Sequence, residues 1–366
     1  MNIAVLTSSR ADYSIYYPLL KILKEDAFFD LHIIAFGAHV SQGRGYTVQY
    51  IENDGFEVKY RIESLPSSDS PQAIAESMGN TMLEFAQIWA KEKYDLVIAL
   101  GDRYEMFSAV SSSVPFNVKI AHIHGGETTH GAIDDAFRHA ITLMSEYHFT
   151  AADQYRKRVL ELKGSDLNVH NTGALSIDNL KQLKLLSIQE FKNKFNIDLG
   201  IPTILITFHP ATVSFERNST YIEELVKALE LLKEYQLVIT MPNADTMGNL
   251  IRQKLNDFIE ANKRAIGVES FGTIGYLTCM KHCSFMLGNT SSGFIEASFF
   301  PKYVINLGER QTGRIVTPNI INCTIEKEAI LSAVKQVEAM PNMKRIDVYG
   351  DGNAAEKIIA ILKTVK

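Results

Sequence analysis

The apolar positions of this chain fall in short runs separated by stretches of helical spacing. Runs at residues 3–7, 31–36, 96–100, 118–123 and 147–150 read as strands, several of them apolar throughout rather than alternating. Unbroken apolar runs mark parallel strands covered on both faces, because a half-solvated strand would alternate with period two. Between them, residues 13–24, 73–93, 104–113 and 133–145 have helical spacing. This alternation predicts βαβ units wound into a parallel sheet.

The rhythm restarts near Thr203. Strands are expected at 203–208, 237–240, 265–268 and 283–287, with helices at 221–234, 247–262 and 274–281. A polar helical stretch over 176–196, ended by Gly200-Ile201-Pro202, separates the halves. The expected architecture is α/β, with two Rossmann-like domains and a central cleft. The first domain is expected to span 1–173 and the second 174–352. A last helix, about 353–366, is expected to pack back on the first domain. A chain of 366 residues suits two cores better than one.

Composition narrows the partners. A net charge of −5 gives no sign of a nucleic-acid partner. No apolar run reaches membrane-spanning length, and Met1-Asn2-Ile3-Ala4-Val5-Leu6 reads as a strand without the basic region and cleavage site of a signal peptide. A cytoplasmic protein with no membrane partner is the expectation. Cys279, His282 and Cys283 invite a metal reading, but a zinc site needs four ligands and no second pair appears. Buried, reduced thiols are expected instead, and no metal.

The chemistry-bearing residues follow the apolar runs. Gly101-Asp102-Arg103 follows 96–100, and His122-Ile123-His124-Gly125-Gly126-Glu127 ends the run at 118–123. Asp134, Asp135, Arg138 and His139 open the next helical stretch, and His209 closes the strand at 203–208. Carboxyl ends of strands are where open α/β sheets bind ligands, so acids and histidines clustered there suggest proton transfer. Asp102, Asp134 and Asp135 could equally be helix caps. Gly288-Asn289-Thr290-Ser291-Ser292-Gly293, between a strand and a helix expected at 294–300, could cradle a phosphate or be a capped turn. It is not a Walker loop, and it is not a dinucleotide fingerprint either, which argues against a nicotinamide cofactor. Arg10, in Ser9-Arg10-Ala11-Asp12, could hold a phosphate or pair with Asp12, and Arg314 could act like it.

Taken in order, these motifs resemble the hydrolysing UDP-N-acetylglucosamine 2-epimerases of the sialic and legionaminic acid pathways. The resemblance runs from Arg10-Ala11-Asp12-Tyr13-Ser14 to Gly308-Glu309-Arg310-Gln311-Thr312-Gly313-Arg314. It implies the two-domain fold known as GT-B. It implies conversion of UDP-N-acetylglucosamine to N-acetylmannosamine and UDP, by elimination to a 2-acetamidoglucal and addition of water, without a cofactor. The resemblance assigns chemistry to Asp102, Asp134 and His209, with Asp135 behind them. It places Arg10, Ser14, Gly288, Ser291, Ser292 and Glu296 on the nucleotide, and Asn243 on the substrate side. Arg103, Arg138 and Arg314 would counter negative charge. Many members carry Glu where this chain has His124, so either His124 or Glu127 takes over that carboxylate's role. The change could track another substrate, such as a UDP-linked 2,4-diacetamido-2,4,6-trideoxy sugar or GDP-N-acetylglucosamine. A glycosyltransferase on the same fold is the rival reading. A homodimer or homotetramer is expected.

Overall fold

The computed structural model describes residues 1–65, 68, 70–242 and 248–365. Among them, two parallel sheets carry the fold, one of seven strands and one of six. The first sheet contains β1 (Asn2–Thr7), β2 (Asp30–Phe36), β3 (Val58–Ile62), β4 (Leu96–Leu100), β5 (Ile120–Ile123), β6 (Tyr147–Thr150) and β7 (Val169–Asn171), in the order β3-β2-β1-β4-β5-β6-β7. The second contains β8 (Thr203–Thr207), β9 (Gln236–Thr240), β10 (Ala265–Val268), β11 (Phe285–Gly288), β12 (Val304–Leu307) and β13 (Ile320–Cys323), in the order β10-β9-β8-β11-β12-β13.

Each order reverses once, between β1 and β4 and between β8 and β11. The connections leaving the two central strands diverge there, which opens a crevice at their carboxyl ends. Every residue of β4 and of β8 is buried, as unbroken apolar runs covered on both faces require.

The helix Arg10–Glu25 fixes the turn after β1. Its capping box joins Ser9 to Asp12, and the Asp12 carboxylate also accepts from the Ser8 amide (2.9 Å) and hydroxyl (2.7 Å). Such a cap contributes about 1 kcal/mol. Tyr16, Leu19, Leu20 and Leu23 of this helix share one core with Ile358, Ile359 and Leu362 of the last helix, Ala354–Leu362. The buried carboxylate of Asp178 seats that helix by accepting from the amides of Ala354 (2.9 Å) and Ala355 (2.7 Å). These are two of the donors that every helix start leaves unpaired.

By internal contacts the chain divides into two units. The first is Met1–Glu127, Ile133–Lys181 and Val348–Lys366; the second is Thr128–Ala132 and Gln182–Asp347. The helical stretch read at 176–196 is two helices, Leu175–Gln182 and Ile188–Phe195. Ser187 starts the second with a capping box to Glu190. Four strands go beyond the apolar pattern. In β3, Lys59 and Arg61 interrupt the run at an edge; β7, β12 and β13 are three or four residues long. The helix expected at 294–300 shrinks to a 3₁₀ turn, Ser291–Gly293, and one turn of helix, Glu296–Phe299. The helix read at 247–262 is seen as Gly248–Ala261; Met247 lies outside the described residues. Cys279 and Cys283 are buried free thiols in the second unit, and Cys323 is half-buried. No described helix is long and apolar enough to cross a membrane.

Candidate active site

In the first unit, the switch point between β1 and β4 gathers the acids. The chain leaves β4 through Gly101 and reaches Asp102, whose carboxylate pairs with the guanidinium of Arg138. Asp102 is not the cap of the following helix: that position is Arg103, which makes no side-chain cap. Arg138 is 2% exposed and lies on the helix Asp134–Met144. Its Nη1 donates to the His124 carbonyl (2.9 Å) and stands 3.5 Å from Glu127 Oε2. One buried guanidinium thus ties Asp102 to the end of β5. Burying an unpaired Arg would cost several kcal/mol, so the two carboxylates are what allow it there.

The loop after β5 is locally strained. His124 has φ +64°, a left-handed conformation that L side chains seldom adopt. Gly126 has φ +78°, and a Cβ there would lie 2.3 Å from the Tyr155 carbonyl. This path turns His124 back so that Nδ1 lies 2.5 Å from Glu127 Oε1. A carboxylate only accepts, so Nδ1 carries a hydrogen, and in the neutral imidazole Nε2 then holds the lone pair. Nε2 is buried and makes no hydrogen bond among the described residues. Glu127 is 1% exposed, held between His124 and Arg138.

His122 fastens the scaffold beneath. Its Nε2 donates to the Gly101 carbonyl (2.8 Å), and its Nδ1 accepts from the Thr142 hydroxyl (3.1 Å). His122 pairs across the ladder with His148, and both are fully buried. Burial pushes His122 down to about 3 and His148 to about 4. Both are therefore neutral in the fold at pH 5, whereas unfolded histidines, near 6.5, have gained protons. Stability is complete above about pH 6.5 and falls as pH drops toward 4. The loss by pH 5 is about 2 kcal/mol per histidine. Urea unfolding at pH 8 and pH 5 should show this loss, and His148→Gln should remove about half of it. A midpoint independent of pH would contradict the assignment.

The other first-unit residues surround this cluster. Arg103 presents Nε and Nη2 to the two oxygens of Glu105, each at 3.1 Å. Glu105 is fully buried; burial raises its carboxyl from the ordinary value and Arg103 opposes the rise. Asp134 opens the helix that carries Arg138, and Asp135 lies 3.6 Å from His139 one turn on. Arg10 opens the first helix, and the Ser14 carbonyl accepts from Asn179 Nδ2 (2.6 Å).

In the second unit, the switch point between β8 and β11 places His209 two residues past β8, 7% exposed, and the loop 288–293 just past β11. Gly288 has φ +147°, and a Cβ there would lie 1.9 Å from the Thr207 carbonyl. Only glycine permits that approach. Ser291 is exposed and Ser292 half-buried. The Ser292 hydroxyl lies 2.6 Å from the Tyr276 hydroxyl and 3.1 Å from that of Thr290. Glu296 is half-buried at the start of the following turn of helix. Arg314 donates through Nε to Gln311 Oε1 (2.6 Å). Asn243 lies outside the described residues.

Sequence reasoning missed Glu105, Asn179, Gln311 and Asn289, which hold the named residues rather than presenting themselves. A buried Glu two residues after Arg103 has the same letter as a surface helix Glu. The chain carried a signal for Asn289, inside the loop 288–293, and for Gln311, three residues before Arg314.

Residues 21–363 match the family model described as UDP-N-acetylglucosamine 2-epimerase. The chain is 35% identical over 325 residues to the GDP/UDP-N,N'-diacetylbacillosamine 2-epimerase (hydrolyzing) of Campylobacter jejuni, covering 88% of this chain and 84% of that one. It is 30% identical over 364 residues to the UDP-N,N'-diacetylbacillosamine 2-epimerase (hydrolyzing) of Legionella pneumophila, covering 100% and 96%. Its fold is that of the UDP-GlcNAc 2-epimerase from Neisseria meningitidis, solved bound to UDP-GlcNAc, with a TM-score of 0.83 at 18% identity over 99% of this chain and 100% of that one. The chain belongs to the UDP-N-acetylglucosamine 2-epimerase family, as an enzyme of the hydrolysing nucleotide-sugar 2-epimerase type.

Proposed function

We propose that this enzyme converts a UDP-linked 2-acetamido sugar to the free 2-epimer and UDP, as a step toward a nonulosonic acid. The observation that supports the reading is the cluster Asp102–Arg138–Glu127–His124, half-buried at Asp102 and buried elsewhere, which holds two carboxylates and an imidazole in hydrogen-bonded positions around one guanidinium.

The chemistry has two stages. A base removes the proton from C2 while the C1–O bond to the diphosphate breaks, giving a C1=C2 double bond and UDP. Water then adds to C1 and a proton returns to C2 from the opposite face, which inverts that centre. The first stage needs a base close to C2 and charge stabilisation on the departing diphosphate. Asp102, His124, Asp134 and His209 are proposed for proton transfer, with Asp135 in support. Glu127 is proposed to orient His124. Arg10, Ser14, Gly288, Ser291, Ser292, Glu296 and Arg314 are proposed to hold the nucleotide. Arg103, Arg138 and Asn243 are proposed to act on the substrate side.

The names of the Campylobacter and Legionella relatives favour a 2,4-diacetamido-2,4,6-trideoxy sugar over N-acetylglucosamine. His124, where a carboxylate was expected from the resemblance, fits an altered substrate. The test is incubation in D₂O, without any acceptor, with UDP-N-acetylglucosamine, UDP-N,N'-diacetylbacillosamine and GDP-N-acetylglucosamine in turn. NMR should show UDP and a free 2-epimer carrying deuterium at C2, fastest with the diacetamido substrate. Absence of acceptor-free release of the nucleoside diphosphate, UDP or GDP, from all three would leave the glycosyltransferase reading standing. A released sugar that keeps its C2 hydrogen would exclude the elimination route.

A further inference from the structure

The main-chain ladder between β8 and β11 ends at the pair Thr207 and Gly288, followed by a bond from the Asn289 amide to the Thr207 carbonyl (3.1 Å). Beyond that point a side chain continues the pairing. Asn289 Oδ1 accepts from the His209 amide (2.7 Å), and Asn289 Nδ2 donates to the His209 carbonyl (2.8 Å). A carboxamide has one acceptor and one donor in a plane, so it can grip both sides of one residue as a neighbouring strand would. Asn289 is 2% exposed and His209 is 7% exposed, so both bonds are shielded from water.

The same residue is tied on its other side. The Asn289 carbonyl accepts from Gln311 Nε2 (2.8 Å), and Gln311 Oε1 accepts from Arg314 Nε (2.6 Å). Gln311 is 2% exposed. Asn289 also stands at the head of the loop that carries Ser291 and Ser292. It therefore joins three parts to which the proposed function gives separate tasks: the loop hydroxyls and Arg314 on the nucleotide, and His209 in proton transfer.

We infer that Asn289 is a positioning residue for His209, fixing the imidazole's backbone in register with the nucleotide-holding loop and, through Gln311, with Arg314. This rests on His209 taking part in the reaction. A displacement of about 1 Å at a reacting group can cost on the order of 10²-fold in rate. Loss of the clamp should therefore appear in turnover rather than in binding.

The test is a double-mutant cycle on the full chain with Asn289→Ala, His209→Ala and the pair, read by kcat and by calorimetric UDP affinity. Asn289→Ala is expected to lower kcat about 10- to 100-fold while UDP affinity changes less than about threefold. The double variant is expected to be no slower than His209→Ala, because a group acting only through His209 has nothing left to act on. Rate losses that multiply in the double variant, or UDP affinity falling as far as kcat, would overturn the inference. If Asn289→Ala does not fold, Asn289→Asp carries the same cycle. It keeps the shape and the acceptor but, ionised, cannot donate to the His209 carbonyl. An inactive His209→Ala beside a wild-type-like Asn289 variant would overturn this inference alone. A wild-type-like His209→Ala would overturn the role of His209 as well.

Discussion

Asp102→Asn is expected to cut turnover by about 10²- to 10⁴-fold, the range typical for loss of a proton-transfer group, while UDP affinity changes less than about threefold. The substitution keeps the size of the side chain and removes its charge. Arg138 would still be held by the His124 carbonyl and by Glu127, so the loop after β5 should keep its shape. The residues at 288–296 proposed to hold the nucleotide belong to the second unit, whereas Asp102 belongs to the first. Stopped-time assays of UDP release and calorimetry with UDP check the two halves of the statement. Affinity lost together with turnover would make Asp102 a ligand-holding or structural residue. Full activity would remove it from the reaction altogether.

His124→Ala is expected to be the other severe variant, with a single-turnover rate lowered by at least about 10²-fold. Glu127→Gln is expected to be milder. The argument is one of layers. Glu127 already serves His124 Nδ1 and Arg138, and is almost wholly buried. His124 keeps a buried Nε2 with no hydrogen bond among the described residues, the only imidazole nitrogen of that pair left for a substrate proton. The left-handed backbone at His124 shows that the fold tolerates strain to place this ring. Glutamine at 127 can still accept from Nδ1–H through its amide oxygen, so it should keep the tautomer while losing the charge that supports an imidazolium. Deuterium incorporation at C2 should fall in step with the rate in His124→Ala. The reverse order, with Glu127→Gln the slower variant, would transfer the proton role to the carboxylate. Wild-type rates in both would place the loop outside the proton relay.

The strands most legible in the sequence are unbroken apolar runs. β4 and β8 announce themselves because no polar residue interrupts them, whereas β3 carries Lys59 and Arg61 on its solvent side and loses the signal. β7, β12 and β13 are short and carry His170 and Asn171, Asn306, and Asn322 respectively, which break their apolar runs. The candidate site was legible to the extent that its residues follow apolar runs: Asp102 after β4, His124 after β5, His209 after β8. Their partners were not. Arg138 meets Asp102 across 36 residues, and Asn289 meets His209 across 80, separations that only the strand order closes. The buried acid Glu105 was invisible for another reason: it approaches Gly37, 68 residues earlier in the chain, closely enough that a Cβ there would lie 3.3 Å from its Cγ. Asn243, assigned to the substrate by resemblance, lies outside the described residues.

The five residues Thr128–Ala132 belong to the second unit although the chain on both sides belongs to the first. They are stitched there by the His130 amide to the Thr312 carbonyl (2.9 Å), by the Thr128 hydroxyl to the Gly313 carbonyl (2.5 Å), and by Gly131, where a Cβ would lie 2.2 Å from the Glu309 carbonyl. This fixes where the molecule can be recombined. A chimaera that exchanges the second unit with a relative by cutting only near Lys181 and Asp347 would bring a foreign 309–313 loop against this chain's own pentapeptide. The mismatch would arise within a few residues of Glu127 and Asp134 along the chain, so a graft of the second unit must carry the pentapeptide with it.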